Sequence, residues 1–419
     1  MLDLKFIREN PEKVKENIAK KHETAEVDNV LSLDQKRREL IQETEQLKNK
    51  RNVVSKEIAE LKRNKQDADD KIASMKEVSE RIKNLDDALR NIDEDINEHL
   101  LRIPNMLHDS VPEGKTEEDN IEIKAWQSPK EPIDMNHIEI SSKFVILDFE
   151  RGAKVSGAGF AFYVGKGAAL ERALLNYMIE HQTGRNGYTE VIPPFVVNRN
   201  SMTGTGQLPK MAEDMYHVQS DDLYLIPTAE VPLTNFYSNE VLKFTDLPVN
   251  VCGASPCFRR EAGSYGKDVH GFLRVHQFNK VELIKICLPE NSENELEKIT
   301  ADAESVLEAL NLPYRRLLLS SGDTSFASSK TYDLEVWTPG EKQWLEVSSC
   351  SNFTDFQARR AKIRFKRDPN SKPEFVHTLN GSGLATSRLM VALIENNFDG
   401  NQINIPEPLR KYTGFDYIN

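Results

Sequence analysis

Apolar residues recur every seven positions along the first quarter of the chain. Leu33, Leu40, Leu47, Val54 and Leu61 form one series; Met75, Ile82, Leu89, Ile96 and Ile103 form a second, with Val78, Leu85 and Ile92 filling a further seam. A repeat of seven predicts two amphipathic helices that meet along an apolar stripe. The polar stretch 64–70 between them offers helix-stop and helix-start chemistry, so the chain is predicted to reverse there into an antiparallel hairpin with its tip near 64–70. At 1.5 Å per residue, about 35 residues per helix make an arm about 50 Å long. The competing use of such heptads is an intermolecular coil. Arg37, Thr44 and Arg51 at alternate seam positions suit an arm exposed on one side better than a long parallel dimer.

Pro104, Pro112, Pro129 and Pro132, with Gly114 among them, end the helical pattern and predict a boundary that separates residues 1–104 from 105–419. Beyond it, 167–181 carries helical periodicity and runs into a strand-like stretch, 188–197. Further strand-like runs lie at 223–227, 249–258, 272–287, 332–338 and 344–349. Strands follow strands without regular crossover helices, which predicts an α+β fold on an antiparallel sheet rather than a doubly wound parallel one. Neither GxxxxGK[ST] nor GxGxxG occurs, so any nucleotide must be held by arginines and a metal instead of a glycine-rich phosphate loop.

A length of 419 residues is enough for two or three domains, and 38% hydrophobic with 29% charged residues fits a soluble globular chain. No apolar run reaches membrane-spanning length and the N-terminus lacks a signal-peptide layout, so a cytoplasmic protein with no membrane partner is expected. Cys252, Cys257, Cys287 and Cys350 form no CxxC pair; they are expected to be reduced core thiols, with no zinc. The net charge of −12 argues against indiscriminate polyanion binding. A local exception lies at 48–65, where Lys48, Lys50, Arg51, Lys56, Lys62, Arg63 and Lys65 face only Glu57 and Glu60. A second basic run comprises Arg359, Arg360, Lys362, Arg364, Lys366 and Arg367; either run alone is equally a solvated face.

The densest chemistry lies in one stretch: Cys257-Phe-Arg-Arg-Glu-Ala-Gly-Ser-Tyr-Gly-Lys-Asp-Val-His-Gly-Phe-Leu-Arg-Val-His-Gln-Phe-Asn-Lys-Val-Glu282. It reads as a strand, a glycine-bearing loop and a returning strand. Arg274, Phe278 and Glu282 are evenly spaced and predicted to share one face of the second strand, with Arg259 and Glu261 on the first arm. A guanidinium fork suits a phosphate and an aromatic ring suits a purine, so this face is a candidate nucleotide wall; a cross-strand salt-bridge ladder is the plainer use of the same residues.

This stretch resembles motif 2 of class II aminoacyl-tRNA synthetases, in the form found in seryl-tRNA synthetases. The resemblance extends along the whole chain, through the helical hairpin, Thr228-Ala-Glu230, Glu346-Val-Ser-Ser349 and Asn380-Gly-Ser-Gly-Leu-Ala-Thr-Ser-Arg388, in the family's order. It places motif 1, with Pro194, at about 167–197, motif 2 at 257–282 and motif 3 at 380–396. Departures fall at Ser387, where glycine is frequent, and in the motif 2 loop at Tyr265, Val269 and His270.

The resemblance implies a homodimer that activates L-serine with ATP and transfers it to a tRNA with a long variable arm, tRNA(Ser) and, where present, tRNA(Sec). It implies Arg259, Glu346 and Arg388 as catalytic residues, with Arg259 on the α-phosphate and Arg388 on the γ-phosphate. Arg260, Glu261, Arg274, Val275, Phe278, Val347, Ser348 and Ser349 complete the ATP site, Phe278 under the adenine. Glu346 and Ser349 hold Mg2+. The serine site takes in Thr228, Ala229 and Glu230, with Thr228 and Glu230 on the ammonium, Arg259 on the carboxylate, and Glu282 with Ser382 on the hydroxyl. Arg388 is placed one turn into a helix opened by Gly381-Ser-Gly383. The basic run at 48–65 is assigned to the tRNA. Two rivals are a homologue that charges a carrier other than tRNA and an inactive scaffold whose coil binds a protein; the N-terminal arm speaks against the first, and Arg259, Glu346 and Arg388 together against the second.

Overall fold

The computed structural model describes residues 1–262 and 271–419, so Tyr265, Val269 and His270 lie outside the described residues. The chain forms two compact units. One comprises residues 2–19 and 23–104, the other residues 105–419 with Met1 and residues 20–22.

In the first unit two short helices precede α1 (Val27–Arg63) and α2 (Asp69–Leu100). Ion pairs of Lys71 with Glu57, Arg81 with Glu43, Lys48 with Asp86 and Arg37 with Asp93 join residues whose numbers rise on one helix as they fall on the other, which is an antiparallel hairpin. The reversal is a Schellman turn: Lys65 adopts φ +55°, its N–H reaches the Lys62 carbonyl at 3.2 Å, and that of Gln66 reaches Leu61 at 2.9 Å. The seam is lopsided. α2 buries Met75, Val78, Ile82, Leu85, Ile92, Ile96 and Leu100, whereas Leu33, Leu40, Leu47, Val54 and Leu61 of α1 are only half-buried. Ile58 joins Leu47 and Val54 against Met75, Val78 and Ile82. Thr44 is buried within the hairpin rather than turned to an open side.

The second unit is built on eight strands: β1 (Ile121–Trp126), β2 (Thr189–Glu190), β3 (Val249–Phe258), β4 (Gln277–Cys287), β5 (Tyr314–Leu318), β6 (Lys330–Thr338), β7 (Gln343–Asn352) and β8 (His377–Ala385). Their order is β1-β5-β6-β7-β8-β4-β3-β2, antiparallel throughout except for the β2–β3 edge pair. Helices α3 (His137–Phe144), α4 (Lys166–Gly184), α5 (Glu230–Asn235), α6 (Ser292–Ala309), α7 (Phe356–Ala361) and α8 (Thr386–Asn397) flank it. The β4 side chains alternate as a sheet between two layers requires. Val281 and Leu283 enter a core with Leu174 of α4, Ile299 of α6 and Leu393 of α8. Ile284 and Ile286 enter a smaller core with Leu233 of α5 and Ala358 of α7. All four cysteines are free and buried, and burial pushes the Cys350 thiol up to about 12.

Three local expectations are corrected. The stretch 188–197 is not one strand: Thr189–Glu190 pairs with β3, Pro193 and Pro194 interrupt the ladder, and Val196–Asn198 joins a separate sheet. Residues 272–276 are not in β4, which begins at Gln277, so Arg274 does not share its face. Gly381 and Gly383 open no helix; they lie inside β8, and Thr386 begins α8. The reason is packing. A Cβ on Gly381 would lie 2.9 Å from Ile299 Cγ1, and one on Gly383 would lie 3.1 Å from Leu283. At the end of β8 a bulge against β4, with Leu384 at φ +118°, turns the chain from strand into helix.

Candidate active site

A cavity of about 710 Å³ opens on the β4 face that carries Lys280. Thr228, Glu230, Arg259, Glu261, Arg274, Glu346, Ser349 and Ser382 line it, brought together from stretches far apart in the chain. A narrower recess beside it shares Arg259, Glu261, Arg274 and Glu346 and adds Val275, Phe278, Val347 and Arg388.

Arg259 continues from β3, and its position is set by the chain that returns. Its N–H donates to the His276 carbonyl at 3.0 Å, and its own carbonyl lies 2.9 Å from His276 Nδ1. The guanidinium Nε donates to the Pro227 carbonyl at 3.3 Å while the group lies 5.2 Å above the Phe278 ring. Glu261, at φ +49°, pairs with Arg274 at 3.1 Å. Arg388 stands on the first turn of α8. It donates to the Leu273 carbonyl at 3.1 Å and pairs with Glu346 of β7 at 3.1 Å.

Glu230 is buried at the start of α5. Gln357 of α7 donates to it at 2.6 Å, and desolvation, followed by the nearby Glu282 charge, raises its pKa to about 7. Glu282 faces Ser382 across the β4–β8 ladder and is fully buried. Its Oε2 accepts from Thr228 Oγ1 at 2.6 Å and pairs with Lys280, whose ammonium also donates to Ser382 Oγ at 3.1 Å.

Four expected site residues do not reach either wall. Ala229 packs its methyl into the core near Leu233. Arg260 turns away, donating to the Glu213 carbonyl at 3.1 Å, and Ser348 is buried, donating to the Ser382 carbonyl at 2.6 Å. Glu282 lies behind Lys280 and Thr228. Lys280 lines both spaces, and strand alternation between Phe278 and Glu282 is the signal that points to it in the sequence. Asn380 and Asp333 also line the main cavity, and no local pattern singles out Gln357.

The fit to a divalent cation rests on Asp333. It pairs in register with Ser349, its Oδ1 is buried without a hydrogen-bond partner, and burial with the Glu346 charge holds its pKa well above the usual carboxylate range. A cation beside Asp333, Glu346 and Ser349 would meet a set of hard oxygens, the chemistry magnesium prefers.

A mostly antiparallel sheet flanked by helices, with a motif 2 arginine, a motif 3 arginine and a carboxylate strand around one cavity and its adjoining recess, defines a class II aminoacyl-tRNA synthetase core. Residues 215–397 match the model of the tRNA synthetase class II core domain (G, H, P, S and T), and residues 1–107 match that of the seryl-tRNA synthetase N-terminal domain. A serine–tRNA ligase of Chlorobium phaeobacteroides is 55% identical, and one of Chloroherpeton thalassium 53%, each over the full length of both chains. A seryl-tRNA synthetase of Pyrococcus horikoshii, solved with ATP, superposes with a TM-score of 0.93 at 38% identity, covering 100% of this chain and 99% of that one. The chain belongs to the seryl-tRNA synthetase family.

Proposed function

We propose that the chain performs the family's reaction in two steps. A carboxylate oxygen of L-serine attacks the α-phosphorus of ATP in line, pyrophosphate leaves, and seryl-adenylate remains. A terminal ribose hydroxyl of tRNA then attacks the acyl carbon; serine is transferred and AMP departs. Positioning and charge neutralisation supply the acceleration, as in other phosphoryl chemistry.

In this reading Arg259 bridges the serine carboxylate and the α-phosphate, Arg388 takes the γ-phosphate, and Phe278 stacks on adenine with Glu261 and the Val275 main chain at its edge. Arg274 adds charge on the phosphates. Glu346, Ser349 and Asp333 would hold a magnesium ion, which would neutralise phosphate charge. Thr228 and Glu230 take the ammonium. Ser382 meets the hydroxyl, and Glu282 acts on it through Thr228 and Lys280. A site built around a hydroxyl rejects the analogue that lacks it by about 10⁴ to 10⁵, because its polar groups are left unpaired.

The chain divides near residue 104, and the N-terminal part holds the tRNA. Lys50, Arg51, Lys56, Lys62, Arg63 and Lys65 make no ion pair among the described residues, whereas Lys48 is engaged by Asp86. A tRNA with a long variable arm is the acceptor, tRNA(Ser) first and tRNA(Sec) where a cell makes it. Two copies pair through the α4–β2 region, where Ile192, Phe195 and Val196 are exposed apolar residues. The protein works in the cytoplasm; among the described residues no helix is long and apolar enough to cross a membrane.

The observation that carries this reading is the convergence of Glu230, Arg259, Glu346 and Ser382 on one cavity. Serine-dependent exchange of pyrophosphate into ATP tests the first step, and charging of a long-variable-arm tRNA tests the second. Exchange without charging would favour a carrier other than tRNA.

A further inference from the structure

His137, the first residue of α3, is fully buried outside the cavity and meets the chain at Phe272, the turn after β6 and α8. Its Nε2 accepts the Phe272 N–H at 3.1 Å. Its Nδ1 lies 2.9 Å from Glu341 Oε1, in the turn after β6, and 3.5 Å from Glu395 Oε1 on α8, at ion-pair distance but not aligned as a hydrogen bond to either. Glu395 is itself fixed: Oε1 accepts the His137 N–H at 2.9 Å, and Oε2 accepts those of Gly340 and Glu341 at 2.8 and 3.1 Å. The backbone of the returning motif 2 arm comes so close that Gly271, at φ +65°, admits no side chain; a Cβ there would lie 2.2 Å from His137 Nε2.

One imidazole and two carboxylates are also the residue types of a metal centre. The Phe272 amide decides between the two uses. With Nε2 accepting an N–H, a neutral ring must carry its proton on Nδ1, the nitrogen that faces the carboxylates. A metal on Nδ1 would move that proton to Nε2 and set it against the Phe272 N–H. The Nε2 contact therefore fits a tether to the Phe272 amide and sets the ring against a cation on Nδ1.

The tethered segment is short and crowded with proposed ATP contacts. Phe272 is followed by Leu273, whose carbonyl holds Arg388, then by Arg274 and Val275, and by His276, whose carbonyl holds the Arg259 N–H. Phe272 packs its ring on Phe149 and Tyr163, so the backbone hydrogen bond to His137 fixes the height at which the segment leaves the core.

We propose that His137 is a positioning residue for ATP: seated beside Glu341 and Glu395, it accepts the Phe272 N–H at Nε2 and so fixes the segment that presents Arg274 and braces Arg388. This rests on the assignment of those two arginines to ATP.

The test uses the full-length enzyme and pyrophosphate exchange. H137F removes the acceptor, H137Q retains an oxygen at the Nε2 end, and H137N retains polarity only at the Nδ1 end. Losing one buried hydrogen bond should raise KM for ATP about tenfold in H137F and H137N, with KM for serine within about twofold, while H137Q recovers most of the loss. Hydrogen exchange of the peptide spanning 272–276 should speed up in H137F and H137N and not in H137Q, whatever those residues bind. Equal behaviour of H137Q and H137N in both measurements, at matched folded fraction, would overturn the proposal. So would stoichiometric zinc or manganese that disappears in H137N. If H137F does not fold, the H137Q and H137N pair carries the same comparison. R274A separates the two layers: an unchanged KM for ATP there refutes the ATP assignment, while the exchange measurement still decides the tether.

Discussion

Arg388 and Glu346 are joined twice: Arg388 Nη1 lies 3.1 Å from the Glu346 carboxylate and donates to the Glu346 carbonyl at 2.9 Å. The motif 3 arginine is thus neutralised by the carboxylate proposed to hold the metal. Binding of MgATP would redistribute both charges, the guanidinium to a phosphate and the carboxylate to the cation. Glu346→Gln should therefore raise the magnesium concentration needed for half-maximal exchange and lower the maximum rate. A titration of exchange rate against magnesium checks this, and an unchanged midpoint would remove Glu346 from the metal site.

Arg259 is held by backbone contacts on both sides, so its truncation should leave the fold intact. Arg259→Ala should lower adenylate formation by about 10² to 10³, the usual cost of removing a preorganised donor from a transition state. Near-normal exchange by the folded variant would refute the assignment.

Glu230, raised to about 7, is mostly neutral below that pH and mostly ionised above it. A serine ammonium requires the ionised form, so KM for serine should rise about tenfold per pH unit below 7 and level off above it. The sign for stability is opposite. An acid whose folded pKa is raised stabilises fully below its unfolded value near 4.5, and that contribution is lost as pH rises through 7. Serine should thus protect against thermal unfolding more at pH 8 than at pH 6, and Glu230→Gln should abolish the difference.

Lys280 and Glu282 form a buried ion pair. Lys280→Met or Glu282→Gln alone leaves one buried charge unpaired and should cost about 3–5 kcal/mol of stability by denaturant unfolding, with the double variant recovering much of it. Both single variants should also discriminate less well against alanine. A double-variant loss equal to the sum of the two single losses would show that the pair carries no coupling.

Deleting residues 49–81 and bridging the stump removes the outer part of the hairpin and its cations. Exchange should survive while most tRNA charging is lost, and tRNA affinity of the intact protein should fall steeply with salt. Undiminished charging by the truncated enzyme would make the arm a structural or partner-binding element.

Local periodicity was enough to determine the two long helices, the polar turn between them, the limits of β3 and the antiparallel character of the sheet. In each, neighbours along the chain repeat one environment, so side-chain type alone reports the element. Arg259 and Phe278 are legible as a candidate nucleotide wall from their strand spacing, whereas Arg388 is legible only through the resemblance to a family motif. The sequence failed where a residue's surroundings come from another strand. Gly381 and Gly383 read as a helix start until Ile299 and Leu283 are seen to crowd the position of any side chain there in β8. Only the tertiary structure put Lys280 in front of Glu282, brought Gln357 to Glu230 and closed His137 on Phe272, because a buried polar group takes its role from the partner that replaces water, and those partners lie 2, 127 and 135 residues away in the chain.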